Sequence, residues 1–236
     1  MAISAQKSKI LWLAPFFLLS TSCAELPSGG ATGNQTLITL SMTMQQPLNQ
    51  GFTYAMALNP VTTTNPTNQG PIPVILPPYG NGIVAGGCQY LIIWNFSAPP
   101  TQQAQIYTLA TPNFFPAPTP YVPINFSLSP DGTTLTAEIS ISEIASSSTV
   151  AATYQALQIN FLTMSVVPTG SNQVSRIYDA LGNQGNNSTQ NSWITVPLNT
   201  AGTYNNARYG NELAAPNWIS DPTLDITNFS VNVAPG

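Results

Sequence analysis

A strict alternation of apolar and polar residues recurs along this chain and constrains its fold more than any other feature. In the stretch LITLSMTM, for example, Ile38, Leu40 and Met42 alternate with threonine and serine residues. Successive side chains of a β-strand point to opposite faces, so a period of two predicts a strand with one buried face. The stretches FTYAMAL, LTAEISIS and TLDITNFSVNVA repeat the pattern, and a shift between Ile226 and Phe229 is typical of a β-bulge.

Turn-forming residues separate these stretches. The sequence SPDGTT joins YVPINFSLS to LTAEISIS; Pro130 presets φ and Gly132 accepts a positive φ, so we predict a hairpin. Pro123 removes a ladder donor, which indicates a sheet edge or a bulge. About eight to ten strands with Pro-, Gly- and Asn-rich turns predict an all-β fold, an antiparallel β-sandwich of jelly-roll-like type with long Pro-rich loops. Short helices are expected only in SSSTVAATYQAL and NNARYGNELAA.

Two Pro-rich connections, residues 59–82 and 97–123, interrupt the alternating pattern. Connections of this length are usually functional or mobile, and their stiffness lowers the entropy lost when they order against a partner. We therefore expect these two segments to be functional or mobile. The apolar run CQYLIIW between them predicts a central strand, with Cys88 and Trp94 in the core.

Charged residues are scarce: they make up 5% of the chain, whereas roughly 25% is typical of soluble domains. The positive charges are Lys7, Lys9, Arg176 and Arg208. Nucleic acid and anionic lipid headgroups are bound by clustered lysine and arginine, so both partner classes are excluded. A neutral surface of Thr, Ser, Asn and Gln also lacks the charge repulsion that keeps proteins apart, which suits a protein that contacts neighbours closely.

The sequence contains no histidine and two cysteines, which excludes most catalytic chemistry. Ser-His-Asp catalysis, histidine-ligated zinc or haem, and cysteine-ligated clusters all need residues that the chain lacks. We therefore expect no cofactor and no enzymatic activity. The catalytic alternative is a carboxylate pair of the glycosidase type, either Glu138 with Glu143 or Asp221 with Asp225, but all four are expected to be exposed polar residues.

One loop offers oxygen ligands for a hard cation. In YDALGNQGNNST, Asp179, Asn183 and Asn187 carry side-chain oxygens of the type that calcium prefers. The loop has a single carboxylate and matches no calcium-binding spacing, so an ordinary loop is the alternative. Arg176, three residues before Asp179, is equally placed for a local ion pair.

Aromatic residues beside polar loops are the candidate ligand-binding groups. Trp193, Trp218, Tyr204 and Tyr209 lie near predicted turns. Exposed Trp and Tyr rings bind sugars or protein partners on β-sandwiches, and this hypothesis requires at least two such rings on one face. The alternative is that these rings are half-buried and close the ends of the sandwich.

The beginning of the chain has the layout of an export signal. Lys7 and Lys9 precede an apolar stretch, Ile10–Leu19, which Pro15 interrupts. Small residues and then Cys23 follow. About ten to thirteen apolar residues are too few to span a bilayer, which takes roughly 20. The pattern is therefore that of a secretory signal.

This segment resembles the signal of a bacterial lipoprotein, in which a small residue precedes a cysteine that becomes lipidated. It departs from that pattern at Ser20, where a leucine is usual; Leu19 lies one step further back. The resemblance covers the N-terminal segment alone and implies that Cys23 carries lipid. The alternatives are an ordinary cleaved signal and a retained anchor. If Cys23 is retained without lipid, a disulfide with Cys88 is a further alternative.

These features give a domain plan and a set of functional hypotheses. Residues 1–22 are predicted to be a signal peptide or membrane anchor, 23–35 a flexible tether, and 36–236 a single β-sandwich domain. We expect an exported protein that is anchored on the periplasmic or extracellular face of a membrane. It would be a structural or accessory subunit whose partners are other envelope proteins or further copies of itself. The alternatives are a glycan-binding or adhesin-like module, and a filament subunit whose strand TLITLSMTMQQ completes a neighbour's sheet.

Overall fold

Two antiparallel β-sheets contain most of the strand residues in the described part of the chain, which confirms the predicted all-β, sandwich-like fold. The computed structural model describes residues 35–109, 117–118, 122–168, 175–182, 192–209 and 219–236, all within the unit Gly33–Gly236. The strands are β1 Leu37–Met44, β2 Thr53–Val61, β3 Pro71–Pro73, β4 Val84–Gly86, β5 Tyr90–Trp94, β6 Ala104–Thr108, β7 Ala117–Pro118, β8 Asn125–Leu128, β9 Thr134–Ser140, β10 Ala156–Met164, β11 Tyr178–Ala180, β12 Ile194–Pro197, β13 Gly202–Asn205 and β14 Ile226–Ala234. The helices are α1 Ser148–Ala151 and α2 Asn206–Tyr209, with 3-10 turns at Pro100–Gln102 and Ile141–Ile144. Both α-helices lie in the two stretches where the sequence predicts them.

Sheet A has the strand order β13-β14-β1-β9-β8, so the first described strand lies at its centre. β1 pairs with β14 along its whole length and with β9 over all but its last residue. Opposite Thr43 and Met44, the register in β14 jumps from Asn228 to Ile226, which leaves Thr227 as the extra residue. The β-bulge predicted in this last strand is therefore confirmed.

Sheet B has the order β11-β10-β2-β5-β6-β7, and β12 also pairs with β10. β11 pairs with the second half of β10 and β12 with its first half. β5 lies between β2 and β6, as predicted for a central strand, and Trp94 is 4% exposed. β3 and β4 form a separate two-stranded hairpin.

The inward faces of the two sheets form one hydrophobic core, and this explains the alternating pattern. Ile38 and Leu40 from β1, Met56 from β2 and Phe161 from β10 are all fully buried in it. The centroids of the Phe161 and Phe229 rings lie 5.5 Å apart and join the two sheets. Burying one such side chain contributes about 1.5–3 kcal/mol, so a register that exposed this row would be strongly disfavoured.

The outer face of sheet B is covered by the chain between β2 and β5. We call residues 62–88 the Pro-rich cover. Its side chains Ile83 and Val84 form a second hydrophobic cluster with outward-facing residues of the sheet, among them Ala57, Leu91 and Leu162. β2 and β10 are consequently buried on both faces, although the alternation in FTYAMAL predicts one buried face.

The predicted β8–β9 hairpin is confirmed, with Gly132 in its turn at a φ of +74°. β8 follows Pro123 and is an edge strand of sheet A, as the proline indicates. The burial expected for its apolar residues is not found: Ile124 is 51% exposed and Leu128 is 43% exposed. An edge strand has a neighbour on one side only, so its side chains lie at the rim of the core.

Candidate functional site

Four of the residues singled out in the sequence lie outside the described part of the chain. They are the lipidation candidate Cys23, the aromatic residue Trp218, and the calcium-ligand candidates Asn183 and Asn187. The predictions made for them stay predictions. The remaining candidates are Trp193, Tyr204, Tyr209 and Asp179, and the structure gives each of them a defined environment.

The three described aromatic candidates are engaged in internal contacts. The Trp193 ring is partly buried against Gly70, where an added Cβ would lie 2.6 Å from the ring carbons. Tyr209 is half-buried and its hydroxyl donates a hydrogen bond to the Thr195 carbonyl at 3.1 Å. Tyr204 is 2% exposed and belongs to the core, because its position in β13 faces sheet B; it is therefore not an exposed binding ring.

Asp179 is a buried structural carboxylate. It is 1% exposed; its Oδ1 accepts a hydrogen bond from the Ala180 amide at 2.9 Å, and its Oδ2 accepts one from the Ile226 amide at 2.7 Å. The side chain thus joins β11 of sheet B to β14 of sheet A. Among the described residues, no group of three or more His, Cys, Asp or Glu side chains could hold a metal ion.

The second predicted carboxylate pair is split between a turn and the interior. Asp221 accepts hydrogen bonds from the amide and the hydroxyl of Thr223, at 3.0 and 2.7 Å, and so closes a local turn. Asp225 is 2% exposed, not exposed as the sequence predicts. These two acids therefore occupy different environments.

The first predicted carboxylate pair lies where the chain enters the sandwich. Ser140 and Glu143 form a capping box at a 3-10 turn, in which the Ser140 amide donates to Glu143 Oε2 at 2.7 Å. The Ser142 hydroxyl donates to Gln35 Oε1 at 3.1 Å, and the Ile141 amide donates to the Thr36 carbonyl at 3.1 Å. We call these residues, 35–36 and 140–143, the entry site, because they fix the chain just before β1.

Glu143 is the unusual titratable group of the entry site. Burial raises its pKa to about 7, the bond from the Ser140 amide opposes that rise, and the nearby charge of Glu138 adds to it. Glu138 itself accepts a weak hydrogen bond from the Thr39 hydroxyl at 3.5 Å. The charge at the entry site therefore changes near neutral pH, whereas an ordinary glutamate stays charged there.

Cys88 is a free, buried thiol, in agreement with the core position predicted for it. Its thiol donates to the Tyr90 carbonyl at 3.3 Å. Burial raises the pKa of the thiol to about 12, so the nucleophilic thiolate is scarcely populated at neutral pH.

Arg176 has a structural role that the sequence does not signal. Its guanidinium lies over the rings of Tyr79 and Tyr178, with centroids 5.6 and 5.0 Å away, and donates to the Gly82 carbonyl at 3.0 Å. Burial lowers the pKa of the guanidinium. Arg176 thus joins the start of β11 to the Pro-rich cover through two tyrosine rings and a backbone carbonyl.

Comparisons with protein-family models, with curated proteins and with solved structures find no match for this chain. In the described ranges, no helix has the length and apolar character needed to cross a membrane.

Proposed function

We propose that this chain is an exported, non-catalytic β-sandwich that is tethered to a membrane through Cys23 and serves as a structural or accessory subunit of an envelope assembly. The observation that carries the proposal is the position of β1. β1 is the first strand in the described part of the chain, and it lies at the centre of sheet A instead of at an edge.

A central strand is well suited to bear load from a tether. The hydrogen bonds of an antiparallel ladder run perpendicular to the strands, so a pull along β1 loads both ladders in shear and all at once. An edge strand that is pulled away from its neighbour loses its bonds one after another. β1 is paired on both sides from Leu37 to Thr43, which gives it two ladders to resist such a pull.

The entry site supports the same proposal. Gln35 and Thr36 are bonded to the turn at residues 141–142, so the chain is held before it enters the sheet. The expected tether, residues 23–35, would thus end at a fixed point on the domain. A nearly uncharged surface further suits a domain that contacts neighbouring subunits.

The test is intact mass spectrometry of the membrane fraction from a bacterium that processes lipoproteins, which compares the wild-type sequence with Cys23→Ser. We expect the wild-type chain to begin at Cys23 and to carry the additional mass of acyl groups. Cys23→Ser should lack those groups and should no longer be anchored by lipid. A wild-type chain that is soluble and carries no lipid would contradict the proposal.

A filament subunit is the second candidate, and the position of β1 favours it as well. A strand that is central in its sheet but early in the chain can be exchanged, because withdrawing it leaves a groove between β9 and β14. Deleting residues 24–46 should then give a chain that folds stably only when a strand of the sequence TLITLSMTMQQ is supplied. A truncated chain that folds alone and stays monomeric would count against strand exchange.

A further inference from the structure

Strand β8 lies at the edge of sheet A, and its backbone groups that face away from β9 pair with no other described strand. The Ser129 amide donates to the Thr134 carbonyl at 2.9 Å, one step beyond the last β8–β9 pair, Leu128 opposite Leu135. Hydrogen-bonded and non-hydrogen-bonded pairs alternate along an antiparallel ladder, so the odd-numbered residues of β8 bond to β9. The N–H and C=O groups of the even-numbered residues Phe126 and Leu128 therefore point away from β9. Of the strands described, β9 alone pairs with β8.

The same even-numbered residues carry an apolar row that runs out of the core to this edge. Phe126 is partly buried against the core, whereas Ile124 and Leu128 are 51% and 43% exposed. β8 is only four residues long and follows Pro123, but the strand itself contains no charged residue and no proline, two of the devices that keep an edge strand from pairing. The edge therefore offers both backbone bonds and an uncovered apolar face.

We propose that β8 pairs antiparallel with β8 of a second copy of this chain, about a two-fold axis at Phe126. Because Ile124 and Leu128 are each two residues from Phe126, this register sets Ile124 opposite Leu128 of the partner and Phe126 opposite itself. Phe126 and Leu128 belong to the even-numbered set of β8 whose backbone groups point away from β9, and Ile124 directly precedes the strand, so the bonds and the apolar contacts involve the same short stretch. A shift of one residue towards the turn would set Ile124 opposite Pro130 instead.

Charge and size fit this occupant. The paired stretch, residues 124–128, carries no charge, so two copies bring no like charges together. The two five-stranded sheets would join into one sheet of ten strands. The contact is short, so it is weak in dilute solution. It does not depend on the proposed tether, although a tether would raise the effective concentration to the millimolar range.

The test uses two variants that each add one exposed cysteine, Asn125→Cys and Ser127→Cys, in a full-length Cys23→Ser chain that keeps the buried Cys88. In the proposed register, residue 125 lies opposite residue 127 of the partner in a non-hydrogen-bonded pair. The Cα atoms of such a pair are about 4.5 Å apart, which a disulfide can join. Like residues would be about 8 Å apart, which is too far. Cys88 is buried and does not compete.

We expect the mixture of the two variants to form disulfide-linked dimers about tenfold faster than either variant alone, as measured on non-reducing gels with mass spectrometry of the linked peptides. Adding Leu128→Lys to both variants should remove the faster linking of the mixture. The control Leu76→Lys changes a side chain in the Pro-rich cover that is 66% exposed, and it should leave the faster linking unchanged. Circular dichroism checks that each variant is folded. A mixture that links no faster than the single variants would overturn the pairing. If Ser127→Cys alone formed linked dimers faster than the mixture, the proposed register would be overturned.

As a check without cysteines, sedimentation equilibrium of Cys23→Ser at increasing concentration should show association that Leu128→Lys removes. A monomer at every concentration would overturn the inference. Lipidation of Cys23 is read by mass in the separate experiment above, so a failure of the tether and a failure of the pairing are told apart.

Discussion

The outward side chains of sheet A are partly exposed, whereas the outer face of sheet B is covered, although both sheets are built from alternating sequences. On sheet A the outward residues are small and polar and bond to one another: the hydroxyls of Ser41 and Thr136 lie 3.0 Å apart. On sheet B the outward residues include Gln158 and Asn160, which are 0% exposed. Outward-facing polar side chains therefore face solvent in sheet A and the Pro-rich cover in sheet B.

The buried amides explain how a Pro-rich segment can lie on a sheet. Proline has a carbonyl but no N–H, so such a segment carries surplus acceptors, and buried acceptors need donors. The Asn160 amide donates to the Pro71 carbonyl at 2.9 Å, and the Gln158 amide donates to the Asn68 carbonyl at 3.1 Å. Side chains of β10 thus supply the donors that the cover lacks.

The largest effect is expected where the cover approaches the chain after β10 most closely. Gly82 has a φ of +81°, and an added Cβ would lie 2.2 Å from the Pro168 carbonyl oxygen. Gly132, in the hairpin of sheet A, has a φ of +74° but meets Pro47 only at 3.4 Å. Both Gly82→Ala and Gly132→Ala place alanine in the left-handed region, which costs roughly 1–2 kcal/mol. Gly82→Ala adds a steric clash.

We therefore expect Gly82→Ala to lower the free energy of unfolding by about 4 kcal/mol and Gly132→Ala by about 1 kcal/mol. Urea unfolding followed by circular dichroism measures both. An equal decrease in the free energy of unfolding for both variants would mean that the Pro-rich cover moves away from the added methyl group at Gly82 with no loss of stability. The difference between the two outer faces would then not be a difference in packing.

The next effect concerns the amides themselves. Asn160→Ala removes two donors, to the carbonyls of Pro71 and Ser192, and the acceptor of the Leu181 amide. Leaving buried partners unsatisfied costs about 1–3 kcal/mol for each, so we expect a loss of about 3 kcal/mol after water enters part of the space. The matched control is Asn232→Ala, an exposed amide on sheet A, with a loss under about 0.5 kcal/mol. Similar losses for both variants in the same urea titration would contradict the proposed role of the amides.

These contrasts also mark how much of the fold could be predicted from the sequence. The alternation, the turn at Gly132 and the bulge at Thr227 depend on residues close together in the chain, and all were predictable. The cover was not, because its contacts join distant residues: Asn160 and Pro71 are 89 positions apart. Alternation reports that a position faces away from the core, and it does not report what lies beyond.

The candidate sites follow the same rule. Cys88 could be placed in the core because its neighbours in sequence are apolar. Tyr204 and Asp179 lie beside polar loops, which predicted accessible groups, but their burial depends on the opposite sheet. The sequence offered Arg176 a local ion pair alone and gave no sign of its bond to the Gly82 carbonyl, 94 positions away. Local sequence fixes which face a side chain takes, and tertiary contacts decide whether that face is a site.

The smallest expected effect is a pH dependence at the entry site on sheet A. The pKa of Glu143 is about 7 in the folded chain, above its ordinary value of 4.5, because the carboxyl is partly buried. The folded state therefore binds the proton more tightly than the unfolded state does. This contribution is fully present below pH 4.5 and is lost as the pH rises through about 7. The sequence contains no histidine, so few other groups titrate in this window.

We expect the free energy of unfolding to be higher at pH 5 than at pH 8 by about 1 kcal/mol, a figure reduced for the partial exposure of Glu143. Glu143→Gln should flatten the profile, since glutamine stays neutral and keeps an oxygen for the Ser140 amide. Asp131→Asn is the control: hydrogen bonds from Ser129 and Thr133 lower the pKa of Asp131, so its own contribution is lost only at pH values below this window. Urea titrations at several pH values measure all three chains. If the free energy of unfolding of Glu143→Gln still fell between pH 5 and pH 8, the Glu143 carboxyl would not be the source of the pH dependence. If the pH dependence were lost in Asp131→Asn as well, its source would include the β8–β9 turn.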